Sequence, residues 1–135
     1  MPSYDDQRFF TRNMLTCGAE AGISIPGTAA SDTELVRLRI PQAFTVDQAT
    51  MVVTTGGTAA GPTVQVGKSV AGTGAVTSIA SQAVGTAANN ASFSFTVTST
   101  DFDAGDHLVI SNVAGTSAST PVAQIVIGFK ETVVV

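Results

Sequence analysis

The sequence predicts an all-β fold: an antiparallel β-sandwich, of jelly-roll type, preceded by an extended N-terminal arm. Three observations carry that expectation. Apolar residues recur at every second position in short runs, as in Phe93-Ser-Phe-Thr-Val97 and Gln124-Ile-Val-Ile-Gly-Phe129, which is the period of a half-buried strand. Gly, Pro, Asp and Asn clusters separate those runs at the spacing of turns. No stretch holds a helical period beyond two turns, and no internal repeat is visible. The expected organisation is an arm over residues 1–32 and a sandwich over 33–135.

In the arm, Tyr4, Phe9, Phe10, Met14 and Leu15 stand among polar residues before Gly18, Gly22, Pro26 and Gly27. Phe9 to Met14 reads as a turn or two of helix, which needs a surface to pack on. That surface is either the chain's own sandwich or a neighbour's. From Glu34 the pattern becomes β. Val36, Leu38 and Ile40 alternate with Arg37 and Arg39, and Pro41 closes the run because proline has no amide to give a ladder. Phe44 and Val46 begin a second run, and Thr50–Thr55 is a third, rich in β-branched residues. The Gly56–Pro62 stretch reads as a hairpin-like connection that pairs Thr50–Thr55 with Thr63–Val66.

Residues 67–91 are interrupted by Gly67, Gly72, Gly74 and Gly85 and predict one or two short strands with a loop. Ala87–Asn90 reads as the turn into a strand over Ser92–Thr98. Two further strands, around His107–Val113 and Val122–Phe129, complete a three-strand antiparallel core joined by short turns. Val133, Val134 and Val135 should extend the last strand or dock on another subunit, since three valines in water are a liability.

Composition narrows the function. Charged residues make up 12% of the chain against about 25% in ordinary domains, and mean hydropathy is +0.32. A surface so poor in charge suits burial in an assembly, so a homo-oligomer is expected. The net charge of -4, with six Lys and Arg spread along the chain, opposes binding to nucleic acid. No apolar run approaches the ~20 residues of a membrane-spanning helix. Asp5 and Asp6 precede Arg8, and Met14-Leu15 is cut short by Thr16 and Gly18, which is unlike a secretory signal. One Cys makes an intrachain disulfide impossible.

Motifs for chemistry are incomplete. Gly67-Lys68-Ser69 matches the end of a phosphate-binding loop, but Pro62 stands where its first glycine belongs. Asp101, Asp103 and Asp106 approach the spacing of a calcium loop without its later ligands, so they read as turn formers and no metal site is assigned. His107 is the only histidine and is expected to face solvent. No Gly-x-Ser-x-Gly elbow accompanies it, and Cys17 is remote, so the expectation is no catalytic residue, no cofactor and no enzyme. Asn90-Ala91-Ser92 is a glycosylation sequon that matters only in a eukaryotic secretory pathway.

One set of residues carries a family resemblance. Phe93–Val97, Asp103-Ala-Gly-Asp-His-Leu-Val-Ile110, the Gly115-Thr116 turn and Ala123–Ile127 resemble small β-sandwich domains of tailed-bacteriophage structural proteins. Thr50–Thr55 followed by Gly61–Val66 does so too. The resemblance spans about 34–130 and is nearest to capsid decoration, or cement, proteins. It implies a protein on the capsid surface of a virion, often a trimer, whose partner is the major capsid protein. Tyr4, Phe9, Phe10, Met14, Leu15, Val133, Val134 and Val135 are then the expected interface residues. The alternative is a head- or tail-fibre module binding a receptor glycan, which the absence of Trp and the single Tyr disfavour.

Overall fold

A computed structural model of the chain describes residues 13–17, 22–25, 33–56, 62–84, 88–114 and 121–131. Its strands are β1 (Asn13–Cys17), β2 (Ile23–Ser24), β3 (Thr33–Arg39), β4 (Phe44–Thr55), β5 (Thr63–Ser69), β6 (Thr77–Ala83), β7 (Ser92–Ser94), β8 (Thr100–Phe102), β9 (His107–Ala114) and β10 (Val122–Glu131). Two antiparallel sheets pack face to face as a β-sandwich. One has the order β1-β10-β4-β7, with β2 also on β10 and β8 also on β4. The other has the order β3-β9-β5-β6.

The period-2 pattern decides which side chains meet between the sheets. Val46, Met51, Val53, Ile125 and Ile127 project from the six-stranded sheet, and Val64, Val66, Leu108 and Ile110 from the four-stranded one. All are essentially sealed from solvent. At one end Phe44 lies against Phe102 and Phe129, with ring centroids 5.5 and 4.5 Å away.

Several pairings differ from the sequence expectation. The runs at Phe44–Val46 and Thr50–Thr55 are one strand, β4, carried past a bulge opposite Gly128 and Phe129. β4 pairs with β10, β7 and β8, so it has no edge left for β5. The Gly56–Pro62 connection therefore passes from one sheet to the other and is not a hairpin turn. The strands of residues 92–131 likewise do not form a three-strand meander. β7 and β10 belong to the six-stranded sheet, and β9 lies in the other between β3 and β5.

The expected Ser92–Thr98 strand breaks after Ser94. The Phe95 amide still donates to Ala49 of the first sheet, but the Thr98 amide donates to Ile79 of the second, and β8 then returns to β4. Asn13 and Met14, assigned above to a helical turn, are in strand β1 with register Asn13↔Phe129 and Cys17↔Ile125. An open edge on β10 offers this segment inter-strand hydrogen bonds that an isolated turn of helix lacks. Strand β2, also within the stretch read as an arm, pairs with β10 at Val122 and Ala123.

Candidate interaction surface

The polar residues singled out for chemistry serve the structure's own backbone. Asp106 turns inward, 4% exposed, and its two carboxylate oxygens accept the amides of Ala71 (2.9 Å) and Asp103 (2.8 Å). These bonds, with Lys68 Nζ 3.4 Å away, hold its carboxyl below the usual carboxylate range. Asp101 instead accepts from the Thr45 hydroxyl, and Lys68 donates to the Asp101 carbonyl while lying over the Phe102 ring. The three carboxylates thus do not converge, and among the described residues no group of three acidic, His or Cys side chains could hold a metal.

His107 is half-buried and not the free solvent-facing side chain expected. Its Nδ1 lies 2.9 Å from Arg37 Nη1. A guanidinium has no lone pair to offer, so in this contact Arg37 donates and Nδ1 accepts. Arg37 is itself held by the Glu34 carboxylate through Nε (3.0 Å) and Nη2, which draws the Glu34 carboxyl down. Ser69 stands opposite His107 in register and is fully buried, its hydroxyl unpartnered. The other two members of a hydrolytic relay are missing: Asp106 bonds to backbone, and the imidazole's Nδ1 is taken by a cation. Cys17 is buried, which pushes its thiol pKa up and away from reactivity.

A turn over Val70–Gly72 and the residues to Val76 fold back on this same outer face. A β-carbon on Gly67 would sit 2.4 Å from Val76 Cγ1, and one on Gly72 2.6 Å from the His107 ring. Together they cover Val109, which is buried although it lies on the face away from the main core. The outer face of the four-stranded sheet is therefore closed around Val109 by the chain itself and edged by Glu34, Arg37, Arg39 and His107.

The outer face of the six-stranded sheet is different. Along β4 it presents Gln48, Thr50, Val52 and Thr54, along β10 Val122, Gln124, Val126 and Gly128, and Met14 and Thr16 from β1 and Ser92 and Ser94 from β7 flank them. None is charged. Met14 is 61% exposed and Val52 37%. Among the described residues, charges on this face appear at one end, where Lys130 lies 4.0 Å from Asp47. At ~3.4 Å per residue and ~4.8 Å per strand this patch covers roughly 300 Å².

Of the interface residues expected from sequence, Met14 lies on this charge-free face, and Leu15 continues β1 opposite Ile127. Tyr4, Phe9, Phe10, Val133, Val134 and Val135 lie outside the described residues. Thr50, Val52, Gln124 and Val126 were not singled out, although the signal was present: they occupy the even positions of alternating runs that contain no charge. No protein-family model and no curated protein matches the chain.

Proposed function

We propose that this chain is a virion structural protein, a capsid decoration or cement protein that binds the outer shell across junctions of the major capsid protein and stabilises it. The observation that carries this reading is the open, charge-free outer face of the six-stranded sheet. Docking such a face removes hydroxyls and valines from water without stranding an ion, which is the main cost of burying surface. The patch is well below the ~800 Å² per partner of a stable interface, so one contact is weak. Many copies on one shell, or three subunits joined in a trimer, multiply that weak contact.

The strand order supports the jelly-roll reading. With β1 and β2 counted as one strand and β7 and β8 as one, the sheets contain eight strands ordered 1-8-3-6 and 2-7-4-5, the wound pattern of two Greek keys. A structural and not a catalytic role accords with the way Asp106, Arg37 and His107 are engaged. Glycan binding gains no support, since every described Phe is buried or half-buried and offers no open ring for stacking. Further anchors are proposed from the N-terminal aromatics and from Val133–Val135.

The test is sedimentation of the full chain with undecorated tailed-phage capsids, beside a Thr50→Lys/Val52→Lys chain. Saturable binding by the first and at least tenfold weaker binding by the second is expected. Failure of the native chain to bind any capsid overturns the proposal.

A further inference from the structure

The two sheets end on one wall of the sandwich, at β6 and β7, and the chain from Phe95 to Thr98 crosses between these edges. Among the described residues no strand lies beyond either. The hydrogen bonds show which backbone groups of β6 point outward. The Val84 amide donates to Pro62 (2.8 Å), and Gln82 and Ala80 stand opposite Val64 and Val66, so the even-numbered residues from Ala80 to Val84 face β5. Ser81 and Ala83 therefore turn their backbone N–H and C=O away from the sheet. The Ile79 carbonyl follows the same alternation, since it accepts the Thr98 amide (2.9 Å) from outside the ladder. Gln82 Nε2 folds back to donate to the Ala83 carbonyl (3.1 Å), a local bond to an acceptor that faces no strand.

We propose that this edge pairs antiparallel with the same edge of a second copy, across a two-fold axis at Gln82, so that the four-stranded sheets of two molecules run on as one. Ser81 of each copy then exchanges both backbone bonds with Ala83 of the other, and Gln82 meets Gln82. This register uses the outward groups of both strands and leaves the Ile79 carbonyl with Thr98. A second pair of outward residues stands on the same wall. The bonds from Val53 to Ala91 and from Phe95 to Ala49 mark the odd-numbered residues of β7 as facing β4, so Ser92 and Ser94 point away from it.

Charge points to the occupant. From Ser69 to Thr100 the sequence contains no charged residue, and Thr77, Ser78, Ser81 and Ala83 are small and exposed. An open edge is completed by an extended backbone, and around a two-fold axis each central residue meets its own kind, so an ionised side chain there would face its like. β6 has none, and it also lacks the Lys or Pro that guards a solitary edge. β3, the opposite edge of the same sheet, is the contrast: Glu34, Arg37 and Arg39 line it. A sheet that charges one edge and leaves the other neutral keeps the neutral one compatible with a strand like itself. The inference rests on the β6 edge and not on the capsid reading, which uses the outer face of the other sheet, so either can fail without the other.

Sedimentation equilibrium of the full chain from about 1 to about 200 μM tests this, and a reversible dimer is expected, weak because the ladder is short. Ser81→Lys/Ala83→Lys sets like charges opposite each other in this register. It should weaken the dimer by about tenfold or more at an unchanged melting midpoint, whereas Thr77→Lys, beyond the paired residues, should leave it intact. Ser81→Pro removes an outward amide that β5 does not use and should act as the lysine pair does. Gln82→Cys, at the axis, should give a covalent dimer on mild oxidation, because opposed residues without mutual backbone bonds lie about 4.5 Å apart at Cα. Thr77→Cys should not. A chain that stays monomeric throughout overturns the proposal and leaves the edge to a strand of another protein. So does an oligomer undiminished by the lysine pair, or one that Gln82→Cys fails to cross-link, since the contact would then use another surface.

Discussion

The two outer faces of this sandwich are built from the same alternation and end up as opposites. On the four-stranded sheet, the Val70–Val76 segment covers Val109 and Gly67, and Asp106 and His107 hold that cover from beneath. On the six-stranded sheet nothing described covers Thr50, Val52 or Val126, and no charge interrupts them. A face that supplies its own cover is finished when the chain folds. A face left bare and neutral has its lowest free energy against something else, which is why the bare one is read as the contact surface.

That contrast can be broken by substitutions whose effects should separate folding from contact. The largest loss is expected at Asp106→Ala, which strands the amides of Ala71 and Asp103. Urea unfolding should show a loss of about 3 kcal/mol. Gly67→Ala comes next, at about 2 kcal/mol in the same measurement, because the new methyl meets Val76. Val76→Ala in the same chain should restore part of it. Were Gly67→Ala neutral, the covering segment would not be packed on the sheet.

The pH dependence of stability sharpens the role of Asp106. Its carboxyl is depressed in the folded chain, so its contribution is complete above the unfolded value near ~4 and is lost as pH falls through the lower folded value. Glu34, lowered chiefly by its hydrogen bond with Arg37, adds to the trend in the same direction. Stability followed by thermal melting should fall below about pH 4, and Asp106→Asn should flatten that fall.

A smaller change, of opposite sign, is expected at Ala71, whose φ of 51° is left-handed. Ala71→Gly should stabilise the chain by about 0.5–1 kcal/mol on unfolding in urea. Smallest of all for folding is Thr50→Lys/Val52→Lys on the bare face, within about 0.5 kcal/mol per site. A marked destabilisation there would mean that the face is already engaged within the fold.

How much of this was legible in the residues varies with what each signal encodes. Alternation at Leu108–Ile110 and Ile125–Ile127 says which side of a strand is buried, and the sandwich follows from it. It does not name the neighbouring strand. Thr50–Thr55 and Thr63–Val66 look equally ready to pair, yet the edges of β4 are taken by β10 and by β7 and β8, and those of β5 by β6 and β9, and only the packed sheets decide that. Asp103 and Asp106 were readable as turn residues, because Asp beside Gly serves backbone amides in most turns, whereas Asp101, read the same way, lies in strand β8 and accepts from the Thr45 hydroxyl. The His107–Arg37 bond had no local signature, since the partners are 70 residues apart and meet only through the β3–β9 register. The bare face was written in the sequence as uncharged even positions, but a lack of charge has meaning only once those positions share a surface.

The pairing of β1 with β10 also has a consequence in time. Asn13 leaves the ribosome long before its partner Phe129. The strand must wait unpaired until β10 has been made, while β4 and β5 can begin assembling with their other neighbours. Closing the six-stranded sheet is thus a late, long-range step with a high loop-closure cost. Chaperone dependence should be greatest before β10 emerges.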